Sequence, residues 1–121
     1  MPYGDTVEIV HDGVTLTLTR IGSDNDAESE FMFRDSAAEY RMKIRHSYTG
    51  SKTVLDRRER HNVELTRLEY AVGDEPAFTE KTYLVYETLG SEVNVDLSNA
   101  LANWLVANTN ANLDKLIQWE N

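Results

Sequence analysis

Between Glu39 and Tyr48 the chain reads EYRMKIRHSY, and apolar and basic positions alternate one by one. Tyr40, Met42, Ile44 and Tyr48 fall on one side; Arg41, Lys43, Arg45 and Ser47 fall on the other. Successive side chains of a β-strand point to opposite faces, so the pattern predicts a strand with an apolar back and a cationic front. The back needs a cover of helix or sheet. The front is either a solvated surface or a seat for something anionic.

The same period of two recurs on both sides of this strand. Val7–Val10 and Val14–Thr19 read as two strands joined by His11-Asp12-Gly13, a hairpin signal in which Asp-Gly supplies positive φ. Gly22–Ser29 reads as a polar loop and Glu30–Arg34 as a short strand. Asp24, Asp26 and Glu28 resemble a calcium loop at three positions, but Ser29 stands where glycine is required and Asp35 where a bidentate glutamate is required, so a solvated turn is the better reading. Thr49-Gly50-Ser51-Lys52 signals a turn. The charged middle of Thr53–His61 reads as a hairpin extended beyond the sheet. Val63 and Leu65 then alternate, and Leu68, Tyr70 and Val72 continue out of phase, which predicts a β-bulge. Gly73–Glu80 reads as a loop and Lys81–Leu89 as a strand apolar on parts of both faces.

The period then changes. Asp96 is placed as an N-cap. Leu97, Ala100, Leu101, Trp104 and Leu105 recur at helical spacing, Asn108-Thr109-Asn110 interrupts them, and Leu113, Leu116, Ile117 and Trp119 form a second stripe. Strands followed by helices predict an α+β fold: an N-terminal β-hairpin, an antiparallel meander sheet and two C-terminal helices. Short one-sided helices are not stable alone. They cover one face of a sheet and leave the face of Arg41, Lys43 and Arg45 open.

A length of 121 residues suggests one domain. The net charge of −9 argues against nucleic acid until its distribution is seen. Residues 38–70 carry 8 bases and 5 acids, whereas residues 1–37 and 71–121 each carry 2 bases and 8 acids. A surface field depends on where charge lies. Cysteine is absent, so no disulfide or thiolate metal site is expected. No apolar run is long enough to span a bilayer, and MPYGDTVEIV predicts no secretory signal.

The sequence offers little catalytic chemistry. His11, His46 and His61 show no metal-ligand spacing, and G-x-S-x-G, P-loop and G-x-G-x-x-G patterns are absent. His46 lies on the apolar phase of its strand and reads as a core or interface histidine. No enzyme, cofactor or metal is expected. A nucleic-acid reading has more support. Alternate side chains on a strand stand about 7 Å apart, close to the phosphate spacing of RNA, so Arg41, Lys43 and Arg45 match successive phosphates. Tyr83 is the candidate for stacking an unpaired base, against the plainer reading of a packed sheet tyrosine.

At EYRMKIRHSYTGSK, GDEPAFTEK, TYLVYETLGSEV and DLSNALANWLVANTNANLDKLIQWEN the chain resembles the coat proteins of single-stranded RNA bacteriophages, the leviviruses. The resemblance implies a single coat-protein domain over 1–121, with the hairpin over 1–20, the sheet over 30–95 and the helices over 96–121. It implies an intertwined dimer with one continuous sheet, each chain's helices lying across its partner's strands, and an icosahedral virion shell assembled in a bacterial cytoplasm. The hairpin and helices would face outward and the sheet inward, toward the genome. Gly73, Asp74, Glu75, Pro76, Ala77 and Phe78 would form a loop that meets its copies around the symmetry axes. A genomic RNA hairpin, bound as a translational repressor, would dock on Lys43 and Arg45, on Asn62, Glu64 and Thr66, and on Tyr83 and Val85. Glu64 and Glu87 depart from that picture by bringing negative charge, and Val85 offers no polar edge. The alternatives are a small ligand-binding or enzymatic domain of the cystatin or NTF2-like kind, and a cellular RNA-binding module.

Overall fold

A computed structural model describes residues 3–25, 28–50, 57–89 and 94–120. The chain forms two compact units, Met1–Gly90 and Ser91–Asn121. The first is a six-stranded antiparallel sheet whose strands lie in sequence order: β1 (Thr6–His11), β2 (Val14–Asn25), β3 (Glu28–Arg34), β4 (Ala38–Gly50), β5 (Arg57–Glu69) and β6 (Phe78–Leu89). Asp12 and Gly13 close the first hairpin at φ 52° and 79°, the pair of positive angles that matches strand twist in a two-residue turn. At the β3–β4 turn the Asp35 carboxylate accepts the backbone N–H groups of Ala37 and Ala38, each at 2.8 Å. Those bonds, Ala38 first, hold its pKa below the usual aspartate value.

Several local expectations are corrected. The polar stretch Gly22–Ser29 is largely strand, because β2 runs on to Asn25 and β3 begins at Glu28. The register shift lies here, between Ile21 and Asn25, with Gly22 at φ 77°. It does not lie near Leu68: β5 pairs without a slip from its first residues to Glu69 on both sides, so Leu68 stays on the charged face opposite Glu39 and Thr79. Backbone pairing to two neighbours outweighs the preference of one leucine for the other side. Thr49 and Gly50 belong to β4, not to a turn, and Arg57–His61 belong to β5, so that part of the charged segment is in the sheet. Residues 51–56 of that segment lie outside the described residues, as do Asp26 and the side chain of Asp24 from the calcium-like stretch.

The core lies on one face of the sheet. Leu16, Leu18, Phe31, Ala38, Tyr40 and Ile44 are buried, and Leu18 and Phe31 are fully enclosed. Val7, Ile9, Phe33, Met42 and Val63 pack against them. In a flat sheet β1 and β4 would lie about 14 Å apart, three strand spacings. Here the His11 and Tyr40 rings are 5.4 Å apart and the Tyr40 hydroxyl meets His11 Nδ1 at 2.8 Å. The sheet therefore curls so that its first hairpin closes over the apolar back of β4. Arg20 secures the start of the chain, donating to the carbonyls of Tyr3 and Gly4 and to Ser29 Oγ while its guanidinium lies 4.9 Å from the Phe31 ring centre.

The second unit holds one helical element, α1 (Asp96–Ile117), where two helices were expected. Its geometry breaks at the expected place: Ala107 is extended, and Asn108, Thr109 and Asn110 take positive φ between 55° and 67°. Asparagine tolerates that region; a β-branched threonine there is strained. Asn112 donates to the Trp104 carbonyl at 2.8 Å, replacing a helical bond lost at the break. Asp96 is not the cap. Val95 holds that position without a side-chain bond, and the Asp96 N–H donates to Asn94 Oδ1 at 3.0 Å. No residue of α1 is buried, and Leu97, Trp104 and Ile117 are exposed.

Phe31→Ala removes the largest fully enclosed side chain. We expect a loss of about 3–5 kcal/mol in chemical denaturation; Val10→Ala, at an exposed site, should change the midpoint little.

Candidate nucleic-acid interface

Strand register decides which side chains share the open face. Opposite the core, β4, β5 and β6 present side chains in rows: Arg41, Thr66 and Lys81; Lys43, Glu64 and Tyr83; Arg45, Asn62 and Val85; Ser47, Arg60 and Glu87. All eight candidate RNA-contact residues, Arg41, Lys43, Arg45, Asn62, Glu64, Thr66, Tyr83 and Val85, therefore lie on one face. Rows are separated by about 7 Å along the strands and columns by about 4.8 Å across them. β3 borders the grid with Glu28, Glu30 and Met32.

The face is not the simple cationic row that the sequence of β4 suggests, because neighbouring strands bring acids to it. Arg41 is held by Glu30 at 2.9 Å and Glu39 at 3.2 Å; the Glu39 bond, then the Glu30 bond, raises its pKa. Arg45 lies 3.9 Å from both Glu28 and Glu64. Arg60 meets Glu87 at 2.7 Å. Glu64, the acid most at odds with an RNA site, is bound by Lys81 at 3.0 Å, and that bond leads the causes that lower its pKa. Lys43 has no carboxylate within 4.0 Å among the described residues, although its charge also acts on Glu64. Partly exposed pairs of this kind contribute roughly 0–1 kcal/mol each, so a phosphate can replace a carboxylate partner at small cost. Lys43 needs no such exchange. Arg41, with two close carboxylates, is the least available of the three.

Tyr83 is exposed on β6 beside Lys81 and Val85, so its ring is free for stacking. Lys81 and Arg60 were not among the expected contacts. The sequence signal for both was their phase: each falls on the even or odd positions that the pairing with β4 assigns to this face. The five residues Gly73, Asp74, Glu75, Pro76 and Ala77 form the connection before β6, closed by a two-way backbone bridge between Val72 and Glu75 with Gly73 at φ 56°. Phe78 is corrected out of that loop. It opens β6 and pairs with Glu69.

Histidines apart in sequence also meet. His46 and His61 are cross-strand partners on the core face, with Nδ1 atoms 2.8 Å apart. Among the described residues no cluster of three or more potential ligands is placed to hold a metal.

Comparison with known proteins gives three findings. The family described as phage phiCb5, coat protein, matches residues 4–89. The fold is similar to a chain of the virus-like particle of Beihai levi-like virus 21, with a TM-score of 0.68 and 11% sequence identity over 97% of this chain and 94% of that one. No curated protein matches the sequence.

Because the Glu64 pKa is lowered by the folded state, its contribution to stability is present above the unfolded value and lost as pH falls through the lower folded one. Glu64→Gln should flatten the stability profile below about pH 4.5 and leave it unchanged in form near neutrality, as read by urea melts at stepped pH.

Proposed function

The chain belongs to the phage phiCb5 coat protein family, and on that premise we propose that it is the capsid subunit of an RNA phage, assembling as dimers into an icosahedral shell around single-stranded RNA. The family and the structural neighbour are capsid proteins, not enzymes. The observation that carries the RNA reading is the grid opposite the core: Lys43, Arg45 and Lys81 on an open face, with carboxylates paired weakly enough to yield to phosphate. Phosphate contacts by these cations release counterions from the RNA, which makes packaging dependent on salt.

Two features support self-association. β6 (Phe78–Leu89) is paired by β5 alone among the described residues, so it stands at the edge of the sheet with no neighbouring strand on its other side. The apolar side chains of α1 are exposed. A second copy that pairs β6 to β6 and lays its helix across the core face answers both. In the shell, Gly73–Ala77 would meet their copies around symmetry axes. Capture of one particular RNA hairpin, with translational repression as its consequence, rests on the exposed Tyr83 ring for stacking and on Asn62 and Thr66 for hydrogen bonds to base edges. The site of action is the virion, after assembly in the bacterial cytoplasm.

Expressed protein examined by size-exclusion chromatography and electron microscopy should give particles that contain host RNA. A small species at every concentration would end the capsid reading. Lys43→Glu combined with Arg45→Glu should lower the RNA content of the particles several-fold at moderate salt while the dimer persists, by the loss of phosphate contacts. RNA content equal to wild type would remove these residues from the site.

A further inference from the structure

The β4–β5 register sets His46 opposite His61 on the core face, away from the grid just described. Their Nδ1 atoms are 2.8 Å apart and their ring centres 5.1 Å apart. Tyr86 of β6 stacks against His61 with ring centres 6.2 Å apart. The other nitrogen of His61, Nε2, lies 3.9 Å from Glu59 Oε2.

Two neutral imidazoles this close share one proton, one ring donating and the other accepting. The same spacing suits a metal. Nitrogens bound at about 2.0–2.1 Å stand about 2.9 Å apart when they subtend a right angle at the ion, and about 3.3 Å apart when the site is tetrahedral. The observed 2.8 Å is nearer the right-angle value. Tetragonal nitrogen sites favour Cu²⁺ and Ni²⁺, which also stand high in the affinity order of divalent ions for such ligands. Glu59, 3.9 Å from His61 Nε2 and so beyond hydrogen-bond distance, favours by its charge a proton on Nε2, which makes Nδ1 the acceptor of the imidazole pair and the nitrogen that would meet an ion. His46 is exposed, so its ring can tilt toward a shared point and its proton can pass through water from Nδ1 to Nε2.

We propose that His46 and His61 form a two-imidazole site for a divalent ion of the copper and nickel class, with the Glu59 charge biasing the His61 tautomer and water filling the remaining positions. The site is built within one chain and shares no residue with the RNA grid. With only two protein ligands it exchanges its ion readily.

Cu²⁺ titrated into the intact protein, followed by visible absorption and calorimetry, should bind in a one-to-one ratio to the chain. His46→Ala and His61→Ala should each weaken binding at least about tenfold, and Glu59→Gln should weaken it by up to about tenfold. His11→Ala, which removes an imidazole bonded instead to Tyr40, should leave copper affinity unchanged. Ni²⁺ should raise the thermal midpoint of the wild type, and Mg²⁺ should not. Circular dichroism of the metal-free variants separates lost binding from lost folding, and His61→Asn supplies a smaller polar change if His61→Ala unfolds. Wild-type affinity in the folded His46 and His61 variants, or no one-to-one binding at all, overturns the site and leaves the RNA proposal standing.

Discussion

Burial of Leu18 and Phe31 between the curled first hairpin and the strands it faces decides which face of the sheet is inside, and strand geometry leaves little freedom after that. A β-strand cannot bury Tyr40, Met42 and Ile44 without turning Arg41, Lys43 and Arg45 to the opposite side. The unbroken register of β5 then carries the choice two strands further, to Asn62, Glu64 and Thr66 and on to Tyr83 and Val85. Tyr40 ties the two ends of the curl together: its hydroxyl meets His11 from β1 and accepts from Arg67 Nε of β5 at 3.2 Å, and its ring lies 6.1 Å from that of Phe33. A slip of one residue in β4 would bury the basic row and expose the core.

The charged face shows how a chain of net charge −9 could take the polyanionic ligand proposed above. Arg41, Arg45, Arg60 and Lys81 are kept in cross-strand pairs with Glu28, Glu30, Glu64 and Glu87, so most of the positive charge on the uncomplexed face is balanced, Lys43 excepted. Each pair is weak because it remains partly in water. Weak pairing would suit the packaging role proposed above: it would limit repulsion between free subunits and would yield when phosphates, closely spaced along one chain, compete for the same cations. Glu64 and Glu87, which look unfavourable for RNA when read singly, are the counterions of Lys81 and Arg60.

The exposed apolar side chains of α1 and the open edge of β6 share one physical meaning. In the dimer proposed above a second copy would answer both: exposed apolar area by burial, and the open strand edge by a neighbouring strand. Exposed Leu97, Leu101 and Trp104 would be an aggregation hazard in a protein that acts alone. In the assembly proposed above they would be the means of association.

Period and order were legible in the residues themselves. Alternation located β1, β4 and β6, Asp12-Gly13 located the first hairpin, helical spacing located α1, and the Asn108-Thr109-Asn110 interruption marked its break. These features arise from neighbours within a few positions, which local sequence controls. Phase alone was enough to assign the eight candidate RNA contacts to one face. The tertiary structure decided what depends on residues far apart in the chain: that β2 and β3 continue through Gly22–Ser29 around a register shift, that Leu68 stays in phase on the charged face, that Lys81 neutralises Glu64, and that His46 meets His61. Each is set by the alignment of one strand against another, and the sheet as a whole chooses that alignment by the apolar area it buries.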